Sequence, residues 1–309
     1  MFFDHFHDGH RILLRLLLID DGEMADRYRA AASRLDDVTI VNANSSKLAE
    51  HASEVDAVVI TSSVAMSKRT DLVRVTAELA KPVLVNTPGA DSKKAWEQAV
   101  QSCRTNTVPL LVSNPSRYMA YPRTVKQSIV AEQLGKPGLV RVHHWMPSPS
   151  TNQNNADLNE SVLQQIDLVC WLCDAEPDCV YATPFGNAGQ GIQVHLGFSS
   201  GCMALIDCSF SLPENAQPYY SLTVVGSSGA AYADDHRNTN LVIGDQTLGL
   251  TVDHGHDWIV HQLTRFLEVI ESKEIVDECH RAFAVTQAAW KSLSSGQSAN
   301  VSGGGYELS

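Results

Sequence analysis

Short, uninterrupted apolar runs alternate with helical patterns through the first 120 residues of the chain. Such alternation is typical of strand–helix units, which build a parallel sheet with helices on both of its faces. Because the apolar runs are continuous, we predict strands that are buried on both faces. Residues 1–120 are therefore expected to form a doubly wound α/β domain. The apolar runs are "RLLLI", "VTIVNA", "VDAVVITSS", "KPVLVN" and "VPLLVSN".

The pattern changes in the second part of the chain, residues 121–309. In "GIQVHLGF", apolar and more polar residues alternate with period two, which is typical of a strand with one covered face. Similar short runs follow one another closely, so we predict an α+β domain with a large, open, mainly antiparallel sheet. Its helices are predicted in "LNESVLQQIDLVCWLC", in "WIVHQLTRFLEVI" and in a last segment that ends near Gly296. The further strand candidates are "LVRVHHW", "CMALIDCSF", "YYSLTVVG", "AAYAD" and "NLVI".

Charge and composition exclude several classes of function. The chain carries 23 Lys and Arg against 35 Asp and Glu, a formal net charge of −12, and has no basic cluster. Nucleic acid is therefore not an expected partner, because neutralising phosphates needs clustered cations. No apolar run approaches the roughly 20 residues that cross a bilayer, and the N-terminal stretch lacks the features of a signal peptide. We expect a cytoplasmic protein that does not bind membranes, with reduced thiols at its seven cysteines.

Several local phrases, in their order and spacing, resemble the Gfo/Idh/MocA family of NAD(P)-dependent oxidoreductases, which act mostly on sugars, polyols and related compounds. The resemblance implies a Rossmann domain that binds NAD or NADP and a cleft between the domains for a small-molecule substrate. It also implies a homo-oligomer, a dimer or tetramer, that associates through the C-terminal sheet. The phrases are "DAVVITSS", "KPVLVNTP", "SRYMAYPRTVKQSI", "LQQIDLVCWL", "LTVVGSSGAAYAD" and "AAWKSLSSGQ".

The first departure from the family pattern lies in the turn "LIDDGEMAD". The family's G-x-G-x-x-G/A fingerprint brings backbone N–H groups close to the cofactor's diphosphate. Here its three positions are Asp20, Gly22 and Ala25, and Asp21 and Glu23 add further carboxylates. These acids either oppose a phosphate, which would weaken or abolish cofactor binding, or cap the following helix.

Other positions of the family's cofactor site can be carried over from the resemblance. Asn42 and Asn44 follow the second strand, where an acidic residue would hold the adenosine ribose of NAD. Asparagine can still form hydrogen bonds there, but it does not decide between NAD and NADP. The remaining candidate cofactor-binding residues are Met24, Ser62, Asn86 and Pro88.

The family's two catalytic motifs are also altered. Thr87, in "NTP", replaces the lysine of an E-K-P motif, and a threonine can only donate or accept a hydrogen bond near neutral pH. Glu160 and Gln164 align with the acid and the histidine of a D-x-x-x-H motif, and glutamine cannot act as a general base. General-base assistance contributes about 10² to 10⁴-fold, so its loss matters. Glu160 or Asp167 could replace it, although both could equally be solvated or capping groups.

Three residues of "SRYMAYP" are candidates for the substrate cleft. Arg117 could line it together with Tyr118 and Tyr121, or it could be a structural arginine at the domain junction. We predict no metal site. His254 and His256 could form a metal-binding pair, but they lack a defined third ligand.

The C-x-x-C of Cys170 and Cys173 lies on a predicted helix and has no second pair, so its side chains are expected to pack in the core rather than to bind zinc or to act in redox chemistry.

Two hypotheses follow from these residues. The chain is either a nicotinamide-dependent oxidoreductase on a sugar- or polyol-like substrate that uses an unusual base, or a catalytically inactive relative that serves in ligand binding, structure or regulation. The first predicts tight dinucleotide binding, whereas the second predicts weak or absent binding and no turnover.

Overall fold

The structure is a computed structural model, which describes residues 13–22, 24–87, 93–148, 154–186, 190–234, 239–244, 247–252 and 257–301. The chain forms two compact units. The first unit comprises the described residues up to Leu111 together with Ile259–Val276, and the second comprises Val112–Trp258 and the described residues from Asp277 onward. The boundary expected at residue 120 would give two domains that are each one continuous stretch, whereas each of these units consists of two separate stretches of the chain.

The strands and helices follow the predicted alternation. The first strands are β1 (Leu14–Ile19), β2 (Val38–Ala43), β3 (Ala57–Ile60), β4 (Val83–Asn86), β5 (Leu110–Ser113), β6 (Pro137–Pro147), β7 (Cys179–Phe185) and β8 (Gly191–Gly197). The remaining strands are β9 (Met203–Leu212), β10 (Tyr219–Gly226), β11 (Gly229–Asp234), β12 (Thr239–Gly244), β13 (Thr247–Val252), β14 (Ile275–Asp277) and β15 (Ala299–Asn300). The α-helices are α1 (Ala25–Ala32), α2 (Leu48–His51), α3 (Met66–Glu78), α4 (Lys93–Thr105), α5 (Ala120–Val130), α6 (Asn154–Cys173), α7 (Asp257–Ser272) and α8 (His280–Ser295).

A six-stranded sheet in the order β14-β5-β4-β3-β1-β2 forms the frame of the first unit. Strand β1 pairs in parallel with both β2 and β3, and β3 pairs in parallel with β4. The last four residues of β1 and all of β3 have no exposed surface, as the continuous apolar runs predicted. Because β2 and β3 lie on opposite sides of β1, the strand order reverses at β1. In open α/β sheets, ligands bind at the carboxyl ends of the strands beside such a reversal.

A nine-stranded sheet in the order β13-β12-β11-β10-β6-β9-β8-β7-β15 forms the frame of the second unit. Every neighbouring pair is antiparallel except β6 and β9. One face of this sheet is covered by α6 and α8. On strand β8, this covered face carries the buried Ile192, Val194 and Leu196, as the alternation in the sequence predicted. The expected fold class is therefore confirmed: a doubly wound Rossmann-type unit and an α+β unit with an open, mainly antiparallel sheet.

In the described part of the chain, none of the helices is both long enough and apolar enough to span a membrane.

Candidate functional site

The turn after β1 stands at the position where Rossmann-type domains bind a dinucleotide, and it is called the nucleotide-binding turn for this position. It lies at the reversal of strand order, and Ala25 begins α1 directly behind it. At Gly22, an added Cβ would lie 2.8 Å from the Cβ of Ser63, so a side chain there would collide with its neighbour. The second glycine of the fingerprint is therefore retained for a steric reason, and Ala25 is an accepted third member.

The Asp20 side chain is turned inward and fully engaged. It is only 6% exposed, and its Oδ1 accepts hydrogen bonds from the Thr61 hydroxyl at 2.7 Å and from the Ser63 hydroxyl. Its Oδ2 accepts from the Met24 N–H at 2.9 Å. Met24 is the N-cap residue of α1, and α1 has no side-chain capping hydrogen bond, so Asp20 ties the start of the helix to the turn without capping it in the way considered from the sequence.

Asp21 is held on the outer side of the same turn. Its two carboxylate oxygens accept from the backbone N–H and the hydroxyl of Ser45, each at 3.0 Å, and the Lys68 ammonium lies 3.9 Å away. The backbone N–H of Asp21 donates to the Ser63 hydroxyl at 3.0 Å. Two N–H groups of the turn, those of Asp21 and Met24, are thus occupied by protein oxygens. A diphosphate would have to displace these bonds and approach two carboxylates.

The remaining candidate cofactor positions have different environments. Asn42 is exposed on β2, and Ser62 is exposed in the turn after β3, where its carbonyl accepts from Arg69 at 2.6 Å. Asn44 accepts from the Ser46 N–H at 3.2 Å and caps a short 3₁₀ turn. Pro88 and Glu23 lie outside the described residues.

Thr87, at the position of the family's lysine, is buried beside an arginine that the sequence analysis missed. Arg69 of α3 is 1% exposed, and its Nη1 donates to the Thr87 hydroxyl at 2.9 Å and to the Asn86 carbonyl at 3.0 Å. Thr87 also has a φ of 57°, which is costly for a β-branched residue. The signal for Arg69 was present in the sequence, because Arg69 lies on the same helical stripe as Leu72 and Val73.

Asn86 belongs to a closed ring of three hydrogen bonds. The Tyr28 hydroxyl donates to Gln262 Oε1 at 2.9 Å, Gln262 Nε2 donates to Asn86 Oδ1 at 2.7 Å, and Asn86 Nδ2 donates back to the Tyr28 oxygen at 3.0 Å. All three residues are buried, and burial, opposed by the Asn86 hydrogen bond, raises the pKa of Tyr28. The ring joins α1, β4 and α7, so Asn86 acts as a structural partner within the first unit.

The altered catalytic pair of the second unit lies on α6. Both Glu160 and Gln164 are partly exposed, and Gln164 Nε2 donates to Glu160 Oε1 at 3.2 Å. The spacing of four therefore brings the two side chains together, as expected of residues on one helix face. This pair can offer hydrogen-bond donors and acceptors to a polar ligand, and of its two members only Glu160 has an ionisable side chain.

Asp167 lies one turn beyond Gln164 and is fully buried in an ion pair. Its carboxylate accepts from Arg117 through two bonds of 2.6 and 2.8 Å, and from Asn114 Nδ2 at 2.8 Å. Burial lowers the pKa of Arg117, but the Asp167 charge outweighs it and the pKa is raised overall. A carboxylate bound in this way is poorly suited to taking a proton from a substrate, so the arrangement disfavours the predicted role of Asp167 as a base.

The candidate substrate residues are placed within the second unit. The Arg117 side chain, 14% exposed, also donates to the Glu278 carbonyl and lies 5.8 Å from the centre of the Trp171 ring. The Tyr118 hydroxyl donates to Glu278 Oε1 at 2.8 Å, and burial together with the Glu278 charge raises its pKa. Arg117 and Tyr118 thus each have hydrogen-bond partners within the second unit. Tyr121 is partly exposed on α5.

Metal ligands were not predicted, and the described residues contain no group of three or more His, Cys, Asp or Glu side chains arranged to hold a metal ion. His254 and His256 lie outside the described residues. Cys170 is fully buried, and its thiol pKa is raised by burial, in agreement with core packing.

Solved structures are similar to almost the whole chain. An oxidoreductase from Agrobacterium radiobacter, in complex with NAD⁺, L-tartaric acid and magnesium, is 15% identical with a TM-score of 0.76, over 94% of this chain and 98% of that chain. A myo-inositol dehydrogenase from Corynebacterium glutamicum is 14% identical with a TM-score of 0.77, over 95% and 100%. A UDP-N-acetylglucosamine 3-dehydrogenase from Acidithiobacillus ferrooxidans is 16% identical with a TM-score of 0.74, over 91% and 98%. No family model and no curated protein matches the sequence.

At these identities the comparisons show the fold. The chain has the fold of these oxidoreductases and dehydrogenases, and at the level of the fold this agrees with the resemblance to the Gfo/Idh/MocA oxidoreductases.

Proposed function

We propose that the chain is a non-catalytic relative of sugar and polyol dehydrogenases, which binds a small polyhydroxylated ligand without oxidising it. The observation that carries this proposal is the engaged Asp20 carboxylate in the nucleotide-binding turn. A carboxylate within about 5 Å of a phosphate opposes it by about 1 to 3 kcal/mol at an effective dielectric between those of water and a protein surface. Weak or absent binding of NAD and NADP follows.

The residues at the catalytic positions support the same proposal. Thr87 is committed to Arg69 and to the Asn86 carbonyl, and Gln164 cannot accept a substrate proton. Hydride transfer from an alcohol needs a group that takes the hydroxyl proton. The Glu160 and Gln164 side chains can instead donate and accept hydrogen bonds, which suits recognition of sugar-like hydroxyl groups.

The test is calorimetric titration of the purified full chain with NADH and NADPH at low salt. We expect no saturable binding at millimolar cofactor, and we expect the Asp20→Gly variant to bind NADH at least ten times more tightly. Asp26→Asn is the matched control, because it removes an exposed carboxylate from the first turn of α1 while leaving the nucleotide-binding turn intact. Micromolar binding by the unaltered chain would contradict the proposal.

A second candidate function is a working dehydrogenase in which Glu160 acts as the base. It is favoured by the partial exposure of Glu160 beside Gln164, and by the NAD⁺ complex of a protein with the same fold. It predicts cofactor reduction with a sugar or polyol that is lost in Glu160→Gln. That variant keeps the size and the hydrogen-bonding shape of the side chain but removes the base.

A further inference from the structure

Two thiols that are far apart in the sequence lie next to each other in the second unit. Cys173 is the last residue of α6, and Cys202 immediately precedes β9. Their Sγ atoms are 3.8 Å apart, and both cysteines are free thiols. A disulfide has an S–S length of about 2 Å, so bond formation needs an approach of about 2 Å by the two sulfur atoms.

The backbone on both sides of this thiol pair is held in place. On the α6 side, the Lys126 ammonium donates to the carbonyl of Trp171 at 2.7 Å and to that of Leu172 at 3.4 Å. On the other side, the Phe198 N–H donates to the Cys202 carbonyl at 3.0 Å and closes the turn between β8 and β9. The backbone next to each cysteine is therefore fixed by hydrogen bonds while the two sulfur atoms lie side by side. We expect that rotation of the two cysteine side chains can bring the sulfur atoms together.

We propose that Cys173 and Cys202 are a modification site that a hydroperoxide, such as hydrogen peroxide, converts reversibly to a disulfide. The Cys202 thiolate attacks a peroxide oxygen, so that an S–O bond forms, the O–O bond breaks and hydroxide leaves as water after protonation. Cys173 then attacks the Cys202 sulfur, so that the S–S bond forms and the S–O bond breaks with release of a second water. Two thiols lose two electrons and two protons, and the peroxide is reduced to two waters.

The local chemistry supports this order of events. The hydrogen bond between the two thiols lowers the pKa of Cys202, against the effect of burial, and together with burial it raises the pKa of Cys173. A thiolate is the nucleophilic form of cysteine, so Cys202 is the thiol prepared for the first step. The neighbouring Lys126 cation favours the thiolate of Cys173, which must form in the second step.

The C-x-x-C motif of the sequence, which was expected only to pack in the core, does not identify this pair of thiols. Cys170, the other member of the C-x-x-C, is buried with a pKa raised by burial, and so are Cys103, Cys208 and Cys279. Cys202 is buried as well, at 3% exposed, but it differs from these four because its sulfur lies against that of the partly exposed Cys173. Cys179 is exposed, and among the described residues it has no hydrogen bond to another thiol. Cys173 and Cys202 are thus the two cysteines that geometry prepares for a bond with each other.

The experiment is disulfide mapping of the purified, fully reduced chain after treatment with hydrogen peroxide, blocking of free thiols, digestion and mass spectrometry. We expect one linked peptide pair that contains Cys173 and Cys202, with the loss of two of the seven thiols. Dithiothreitol should restore all seven, and the oxidised form should unfold at a higher temperature, because the bond closes a ring of about 30 residues.

Three variants sharpen the test. Cys173→Ser and Cys202→Ser should each abolish the linked peptide, whereas Cys179→Ser, at an exposed position, should leave it unchanged. A linkage of Cys173 to Cys170 would overturn the proposal. So would a pair that stays reduced at peroxide concentrations that oxidise Cys179. The mapping of the unaltered chain decides the question even where a serine variant does not fold.

Discussion

At the scale of single residues, Thr87 is matched to the buried arginine beside it. Thr87 stands at the position where the family resemblance implies a lysine, and it contacts the buried guanidinium of Arg69. A lysine at position 87 would place a second cation against this arginine in a region with little water. The threonine and the buried arginine are therefore compatible with each other, whereas a lysine and the buried arginine are not.

We expect Thr87→Lys to lower the free energy of unfolding by about 2 to 4 kcal/mol, because a buried charge without an opposite charge is strongly destabilising. Thr87→Ser keeps the hydroxyl that Arg69 bonds and should change stability by less than about 1.5 kcal/mol. Urea unfolding of the two variants measures the difference. A lysine variant as stable as the serine variant would show that Arg69 does not control this position.

His144 makes the stability of the second unit depend on pH. It is 5% exposed and stacks on Tyr220 with ring centres 4.7 Å apart, and burial lowers its pKa to about 4. In the unfolded chain its pKa is near 6.5, so between these values the unfolded chain binds a proton that the folded chain does not. Stability is therefore lost as pH falls from about 6.5 to about 4.

This loss should amount to about 3 kcal/mol at His144, with no further change from this residue below pH 4. His144→Phe keeps an aromatic ring against Tyr220 and should remove this part of the acid sensitivity. Chemical unfolding at pH 7, 5.5 and 4 compares the two proteins. If the variant loses stability in parallel with the unaltered chain, then other groups are responsible.

At the scale of elements, the ring of Tyr28, Asn86 and Gln262 ties three elements of the first unit together. Residue 262 lies on α7, which enters the first unit from the far end of the chain. Each hydrogen bond in such a closed ring polarises the next, so the contribution of the ring exceeds that of three separate bonds. The ring therefore contributes to the attachment of α7 to α1 and β4.

We expect Gln262→Leu to lower the free energy of unfolding by about 2 to 3 kcal/mol, because the Tyr28 hydroxyl and Asn86 Oδ1 both lose this partner in a buried region. Tyr28→Phe should cost less in the presence of Gln262→Leu than alone. A double-mutant cycle measured by urea unfolding gives this coupling, which should be at least about 0.5 kcal/mol. Additive effects would mean that the three side chains do not act as a unit.

At the scale of the whole molecule, we propose that copies of the chain associate through the open face of the nine-stranded sheet. The strand register places Leu139 beside both Met203 and Val225 on this face. Their exposed fractions are 41%, 56% and 38%, and other large exposed apolar side chains share the face. An exposed apolar surface of this kind supports a dimer or tetramer. The other members are Tyr181, Phe185 and Tyr232.

Met203→Glu should therefore shift the chain from an oligomer to a monomer, because a charge placed within an apolar contact must be desolvated. Val130→Glu is the matched control, since Val130 is 70% exposed on α5 and does not belong to this face. Size-exclusion chromatography with light scattering gives the masses. A monomeric unaltered chain, or an oligomer that keeps its mass in Met203→Glu, would contradict the proposed interface.

The sequence alone determined the two sheets, the covered and open faces of their strands, and the retained Gly22 and Ala25 of the nucleotide-binding turn. It could do so because strand burial and turn geometry leave periodic and local patterns. Tertiary structure decided what each candidate residue contacts: Asp20 is engaged by Thr61 and Ser63, which follow a different strand. Gln262 bonds Tyr28 across 234 positions, and Cys202 rather than Cys170 lies against Cys173. Such contacts form only when distant segments of the chain pack together, so they cannot be predicted from a local sequence pattern.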